Sequence, residues 1–219
     1  MLKESYFEFT VRWHLYRKWH MPPKPNRQAE YDFHRVMKTA PAGGLFIDFG
    51  ANVGDVTRHA LNYGMKVIAF EPDPTARKVL TKRFGQDDRV TIIPKAVGGS
   101  ARTARFYQPS GIDNIGRTEG SSLIETPLHV NGSIFEIEVV DVVQFLQGLH
   151  EPIAVVKMDI EGAEAECIEA ILNAGIHRSI GQVLVETHER FSPGLADRIG
   201  QLRQRISREG IRNINLDWG

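Results

Sequence analysis

The chain has 219 residues, 42% hydrophobic and 25% charged, which suits one well-filled α/β domain of ordinary globular composition. Lys plus Arg and Asp plus Glu balance at 27 each, so no nucleic-acid partner is expected. The lone cysteine, Cys167, excludes an internal disulfide, and no apolar run reaches the ~18 residues of a membrane span, so a cytoplasmic protein is expected.

Residues 1–40 are expected to form a helical arm beside a main domain at 41–219. Tyr6, Phe9, Trp13 and Tyr16 recur at helical spacing, Val11, Leu15 and Trp19 form a second stripe, and the segment to Arg27 is basic. The Pro22–Pro23–Lys24–Pro25 break ends that helix. Asn26 can cap another running to about Thr39, with Tyr31, Phe33, Val36 and Met37 available to pack. The arm is read as a lid over the cofactor edge or a contact in a homodimer. Its basic, aromatic character also suits peripheral contact with an anionic membrane.

Residues 45–73 form one β-α-β unit: an apolar strand through Phe46 and Ile47, the loop Asp48-x-Gly50-x-Asn52-x-Gly54, a helix over Asp55–Tyr63, and a strand over Met65–Phe70 ending at Glu71-Pro72. Gly50 and Gly54 permit a sharp turn and close approach of a ligand, while Glu71 sits where dinucleotide folds place a ribose-binding acid. A pyrophosphate loop wants G-x-G-x-x-G, but Asn52 stands where its second glycine is needed. The carboxylate of Asp48 would repel a diphosphate and attract a cationic cofactor, as the sulfonium and ammonium of S-adenosylmethionine would provide.

Thr75–Phe84 then reads as a helix and Val90–Ile93 as a third strand, after which Ala96 and Val97 return to the cofactor edge near the adenine. Thr103–Tyr107 and Ile134–Val140 read as strands, the second exposed or at an edge. The Gly- and Ser-rich stretch between them is read as an acceptor-binding flap, with Asn114, Arg117, Ser121 and Ser122 as contacts. Asp141 caps a helix through Leu149.

Ile153–Val156 is a buried strand, and Lys157, Asp159 and Glu161 alternate as they leave it, so they share a side if the extension persists. Gly162 permits a turn into a helix near Ala163 that holds Cys167 as a small apolar residue. Lys157 and Glu164 also have a structural reading, as ion pair and helix cap. Gly181–Thr187 is the next strand, so Glu186 and His188 should join Asp159 and Glu161 at the open edge. His188 or Asp159 is the expected base, with Lys157 in the catalytic set, and Glu161 and Glu186 are assigned to the acceptor. These carboxylates also suit Mg²⁺, though the reading adopted is metal-free.

FIDFGANVG (46–54), FEPDP (70–74), KAVG (95–98), VVKMDIEGAEAECIEA (155–170) and VLVETHE (183–189) together resemble the FkbM family of S-adenosylmethionine-dependent methyltransferases. The resemblance covers about residues 44–190 and implies a Rossmann-like class I fold and O-methylation of a sugar, glycan or small molecule. It implies S-adenosylmethionine contacts at Asp48, Gly50, Asn52, Gly54, Glu71, Pro72, Ala96, Val97 and Asp159. This class usually ends in a strand hairpin, but only one strand, Ile211–Leu216, follows the helix at Pro193–Arg208. A shortened sheet, or an open edge covered by the arm or a second subunit, is therefore expected. The rival function is a nucleotide-binding or interaction protein that keeps the fold without methyl transfer.

Overall fold

The computed structural model describes residues 28–110 and 120–218. Residues 1–27 of the arm, with both aromatic stripes, and Asn114 and Arg117 of the flap lie outside the described residues. The chain order is α1 (Gln28–Thr39), β1 (Leu45–Phe49), α2 (Asp55–Asn62), β2 (Lys66–Phe70), α3 (Pro74–Phe84), β3 (Val90–Ile93), β4 (Ala96–Gly98) and β5 (Arg102–Gln108). There follow β6 (Ser133–Asp141), α4 (Val142–Gln147), β7 (Ile153–Met158), α5 (Glu164–Asn173), β8 (Ile180–Val185), α6 (Pro193–Glu209) and β9 (Ile214–Asn215).

Six parallel strands form the main sheet in the order β3-β2-β1-β7-β8-β9. The order reverses beside β1, so the C-terminal ends of β1, β2 and β7 frame a switch-point crevice, where open α/β sheets bind ligands. Because successive side chains alternate, β1 feeds both faces. Ile47 and Phe49 join the core under α4, α5 and α6, while Phe46 joins Phe33, Val36 and Met37 of α1 and Ala60 and Leu61 of α2.

Local chemistry sets the helix ends. The Asp73 carboxylate accepts from the Thr75 and Ala76 amides ahead of Pro74, Ser192 accepts from the Leu195 amide ahead of Pro193, and Gly210 ends α6 in the left-handed region. Cys167 is fully buried and its thiol is pushed up by burial, as a small core residue requires.

Two expectations are corrected, and a third, the shortened C-terminal sheet, is met. The strand at Ile134–Val140 is central in a second sheet, β4-β6-β5, although one face stays open and Ile134 is exposed. The described part of the arm is no lid over the cofactor edge: α1 packs on the sheet face. At the C-terminus β9 has two residues and runs parallel to β8, with no hairpin strand after it among the described residues. The chain instead folds back: the Trp218 amide donates to Val185 O, its indole Nε1 donates to Ala29 O at 2.9 Å, and its ring meets Phe33. No described helix is long and apolar enough to cross a membrane.

Trp218 thus ties the C-terminal segment to α1. Trp218→Ala should cost about 3 kcal/mol of unfolding free energy in urea denaturation; a loss below about 1 kcal/mol would show that this contact is peripheral.

Candidate active site

The loop after β1 is built by backbone geometry. Gly50, Asn52 and Gly54 all have positive φ (78°, 49° and 87°), and the Gly50 and Ala51 amides both donate to Phe70 O at the end of β2. A Cβ on Gly50 would lie 1.8 Å from the Asp159 carbonyl oxygen, so the loop crosses the end of β7 at backbone contact. Across this loop, Glu71 accepts from the Asn52 amide at 2.6 Å and from the Asp73 amide at 2.7 Å. Burial pushes the Glu71 carboxyl up to about 8, against these two donors, which favour the charged form.

Beneath the loop lies a buried charge relay. Asp48 is fully buried, because strand alternation sends it to the Phe46 face, where it accepts from the Thr57 hydroxyl at 2.7 Å. The Lys157 ammonium stands 3.3 Å from Asp48 and 3.6 Å from Asp159 and donates to Gly50 O at 2.7 Å. Burial alone would lower the Lys157 pKa, but Asp48 and Asp159 more than offset it, and the group is held above its ordinary value.

The next turn does not stay extended. Glu161 adopts φ 55° and Gly162 φ 111°, so Lys157, Asp159 and Glu161 do not continue one alternating side. The buried Glu164 carboxylate shapes this turn, accepting from the Ile160 and Gly162 amides at 2.9 Å each, and it meets His188 Nδ1 at 2.9 Å. His188 Nε2 lies 3.1 Å from Glu161 and 3.8 Å from Asp159. Burial would lower the His188 pKa, but Glu161 and Glu164 drive it up to about 10.

A cavity of about 380 Å³ opens above these elements, lined by Gly50, Asn52, Glu71, Pro72, Ala96, Val97, Lys157, Asp159, Glu161, Glu186 and Ser121, among others. The predicted acid, loop, adenine wall and acceptor carboxylates therefore meet in one place. Four expected roles change. Asp48 is sealed under the loop and its charge is met by Lys157, so it offers no field to a cationic ligand. Gly54 faces α3, where a Cβ would lie 2.5 Å from Leu80, and is absent from the lining. Lys157, expected in the catalytic set, is a buried strut whose ammonium is stabilised by Asp48 and Asp159. His188 is 1% exposed and carries a proton at neutral pH, so it cannot accept one from an acceptor.

The flap divides likewise. Ser121 lines the cavity and donates to Asp73 at 2.7 Å, but Ser122 is fully buried and donates to Glu161 O at 2.5 Å. Ser122 therefore fastens the flap to the 159–162 turn. Sequence reasoning missed Phe106, Leu123, Leu128 and Arg190 of the lining; Phe106 lies in a strand given no site role, Leu123 and Leu128 are apolar in a stretch read as polar, and Arg190 had only its place after β8 to mark it.

The fold is a Rossmann-like class I methyltransferase architecture, with its crevice at the ends of β1, β2 and β7. Residues 48–212 match the family described as the Methyltransferase FkbM domain, and the chain belongs to that family. A curated relative, the hexuronic acid methyltransferase AglP of Haloferax volcanii, is 32% identical over 176 residues, which is 76% of this chain. The match spans 65% of that relative's length. A solved Clostridium thermocellum protein described as an rRNA-methylase superposes with a TM-score of 0.51 at 10% identity, covering 83% of this chain and 82% of that one. That likeness concerns the fold alone.

His188 and Glu71 give stability the same pH slope. His188, raised from 6.5 to about 10, contributes stability that is complete below 6.5 and lost as pH rises through 10. Glu71, raised from 4.5 to about 8, binds a proton in the folded state that the unfolded chain releases, so its contribution also falls between those values. Unfolding free energy should therefore decline steadily from neutral pH to pH 10 in urea titrations, and His188→Gln should flatten the upper part. A flat wild-type profile would contradict both shifts.

Proposed function

We propose that the protein is an S-adenosylmethionine-dependent O-methyltransferase whose acceptor is a hydroxyl of a sugar, glycan or secondary metabolite, with a sugar preferred. The observation that carries this reading is Glu71, held at the end of β2 by two loop amides while lining the cavity. In that position its carboxyl group can hydrogen-bond ribose hydroxyls, accepting through its oxygens and donating through the proton it holds below about 8. Ala96 and Val97 supply an apolar wall suited to adenine, and the positive-φ loop lets backbone approach the ligand without side-chain interference.

When bound, S-adenosylmethionine supplies a methyl group already activated on sulfur. The protein's part is then to orient a hydroxyl and take its proton. Asp159 is the proton acceptor in this reading, because its side chain faces the cavity while His188 is already charged. Glu186 shares the wall, its pKa raised by burial and then by the charge of Asp159. With Glu161 and the exposed Arg190 it makes a polar acceptor side suited to a polyhydroxylated molecule. The sugar preference is supported by the Haloferax volcanii relative, a hexuronic acid methyltransferase.

Calorimetry should show binding of S-adenosylmethionine with Kd in the micromolar range and none of NAD, and Glu71→Ala should weaken it at least tenfold. Transfer of labelled methyl should be detected in a panel of sugar acceptors that includes hexuronic-acid glycans, and Asp159→Asn should lower kcat by about 10²-fold. Binding of NAD alone would overturn the reading in favour of a nucleotide-binding protein.

A further inference from the structure

Beside the cofactor crevice, Asp159, Glu161 and His188 each turn one ligand atom toward a common point, all three atoms lying within 4.8 Å of one another. Clustered carboxylates alone are ordinary. The informative atom is His188 Nε2, fully buried and without a hydrogen-bond partner although Glu161 Oε2 is 3.1 Å away. The ring is close to both carboxylates but aligned with neither, as expected of a nitrogen aimed at the space between them.

We propose that Asp159, Glu161 and His188 form a binding site for one divalent transition-metal cation. The 3.1 Å separation from Nε2 to Glu161 matches the ~3 Å between neighbouring octahedral ligands at about 2.1 Å from an ion, and the 3.8 Å separation to Asp159 needs to close by about 1 Å on binding. Most surrounding atoms are engaged elsewhere, although Glu161 Oε2 also stands 3.9 Å from the exposed Arg190 guanidinium, which the ion would displace. Asp159 turns its second oxygen to Lys157 at 3.6 Å, and Glu164, which meets Nδ1 at 2.9 Å, fixes the ring so that Nε2 is the coordinating nitrogen. Ion binding displaces the proton that Nε2 carries in the metal-free protein. An imidazole among two carboxylates selects a first-row transition ion over Mg²⁺, which prefers an all-oxygen shell.

Asp159 and Glu161 also line the cavity, so the open coordination positions face it. A hydroxyl oxygen of an acceptor fits there, and coordination would make that hydroxyl more acidic. This consequence rests on the methyl-transfer reading; the metal site does not.

The test is titration of the full chain, freed of metal with chelator, with Mn²⁺ followed by electron paramagnetic resonance, and in parallel with S-adenosylmethionine by calorimetry. One saturable Mn²⁺ site should appear, with nitrogen hyperfine modulation from the imidazole. Asp159→Asn and Glu161→Gln, both on partly exposed side chains, should each weaken it at least tenfold, whereas Glu189→Gln, which alters a carboxylate paired with Arg203, should not. No saturable binding at millimolar Mn²⁺, binding without nitrogen coupling, or binding indifferent to both substitutions would overturn the proposal. Mn²⁺ binding without S-adenosylmethionine binding would retain the site and remove the methyl-transfer reading; the reverse would do the opposite.

Discussion

The ammonium of Lys157 is the interaction on which the crevice depends. It is buried between Asp48 of β1 and Asp159 beyond β7, and it donates to the carbonyl of Gly50, so one charge joins both strands and the loop that crosses them. Removing a charge of this kind from water costs several kcal/mol, repaid only when partners are close and remaining donors are satisfied. Here two carboxylates and a carbonyl meet those conditions. The result is a loop held at backbone contact with β7, which is why Gly50 has no room for a side chain.

From that point order passes outward through a second buried carboxylate. Glu164 pins the 159–162 turn by two amides and fixes His188, and Ser122 then bonds to Glu161 O. Ile124 packs within 2.6 Å of where a Cβ on Gly162 would stand, so the flap rests directly on this turn. The loop after β1, the 159–162 turn and the segment at Ser122 are thus one continuous polar network over an apolar sheet. A network whose members are nearly all satisfied specifies a single geometry; of its two atoms without a hydrogen bond, Asp48 Oδ1 is met by the Lys157 charge and His188 Nε2 falls where a ligand is inferred.

The legible features were those set by backbone periodicity. Strand and helix order, the left-handed positions at Gly50 and Gly54, the acid at the end of β2 and the return of Ala96 and Val97 all follow from spacing along the chain. What spacing does not carry is the partner of a buried charge. Asp48 looked like a cofactor contact because it precedes the loop, yet alternation turns it beneath that loop toward Thr57. His188 looked like a base because it ends a strand, but its protonation is decided by Glu161 and Glu164, more than twenty residues away. The docking of Trp218 on α1 is a tertiary contact that no local pattern contains.

The claim that one buried ammonium organises both sides of the crevice is tested most directly by amide hydrogen exchange on Lys157→Met. Protection should fall together at residues 50–52 and 159–162, which share no hydrogen bond except through the Lys157 region and the crossing of β1 and β7, while α6 retains its wild-type protection. Loss confined to one segment, or unchanged protection in both, would contradict the account.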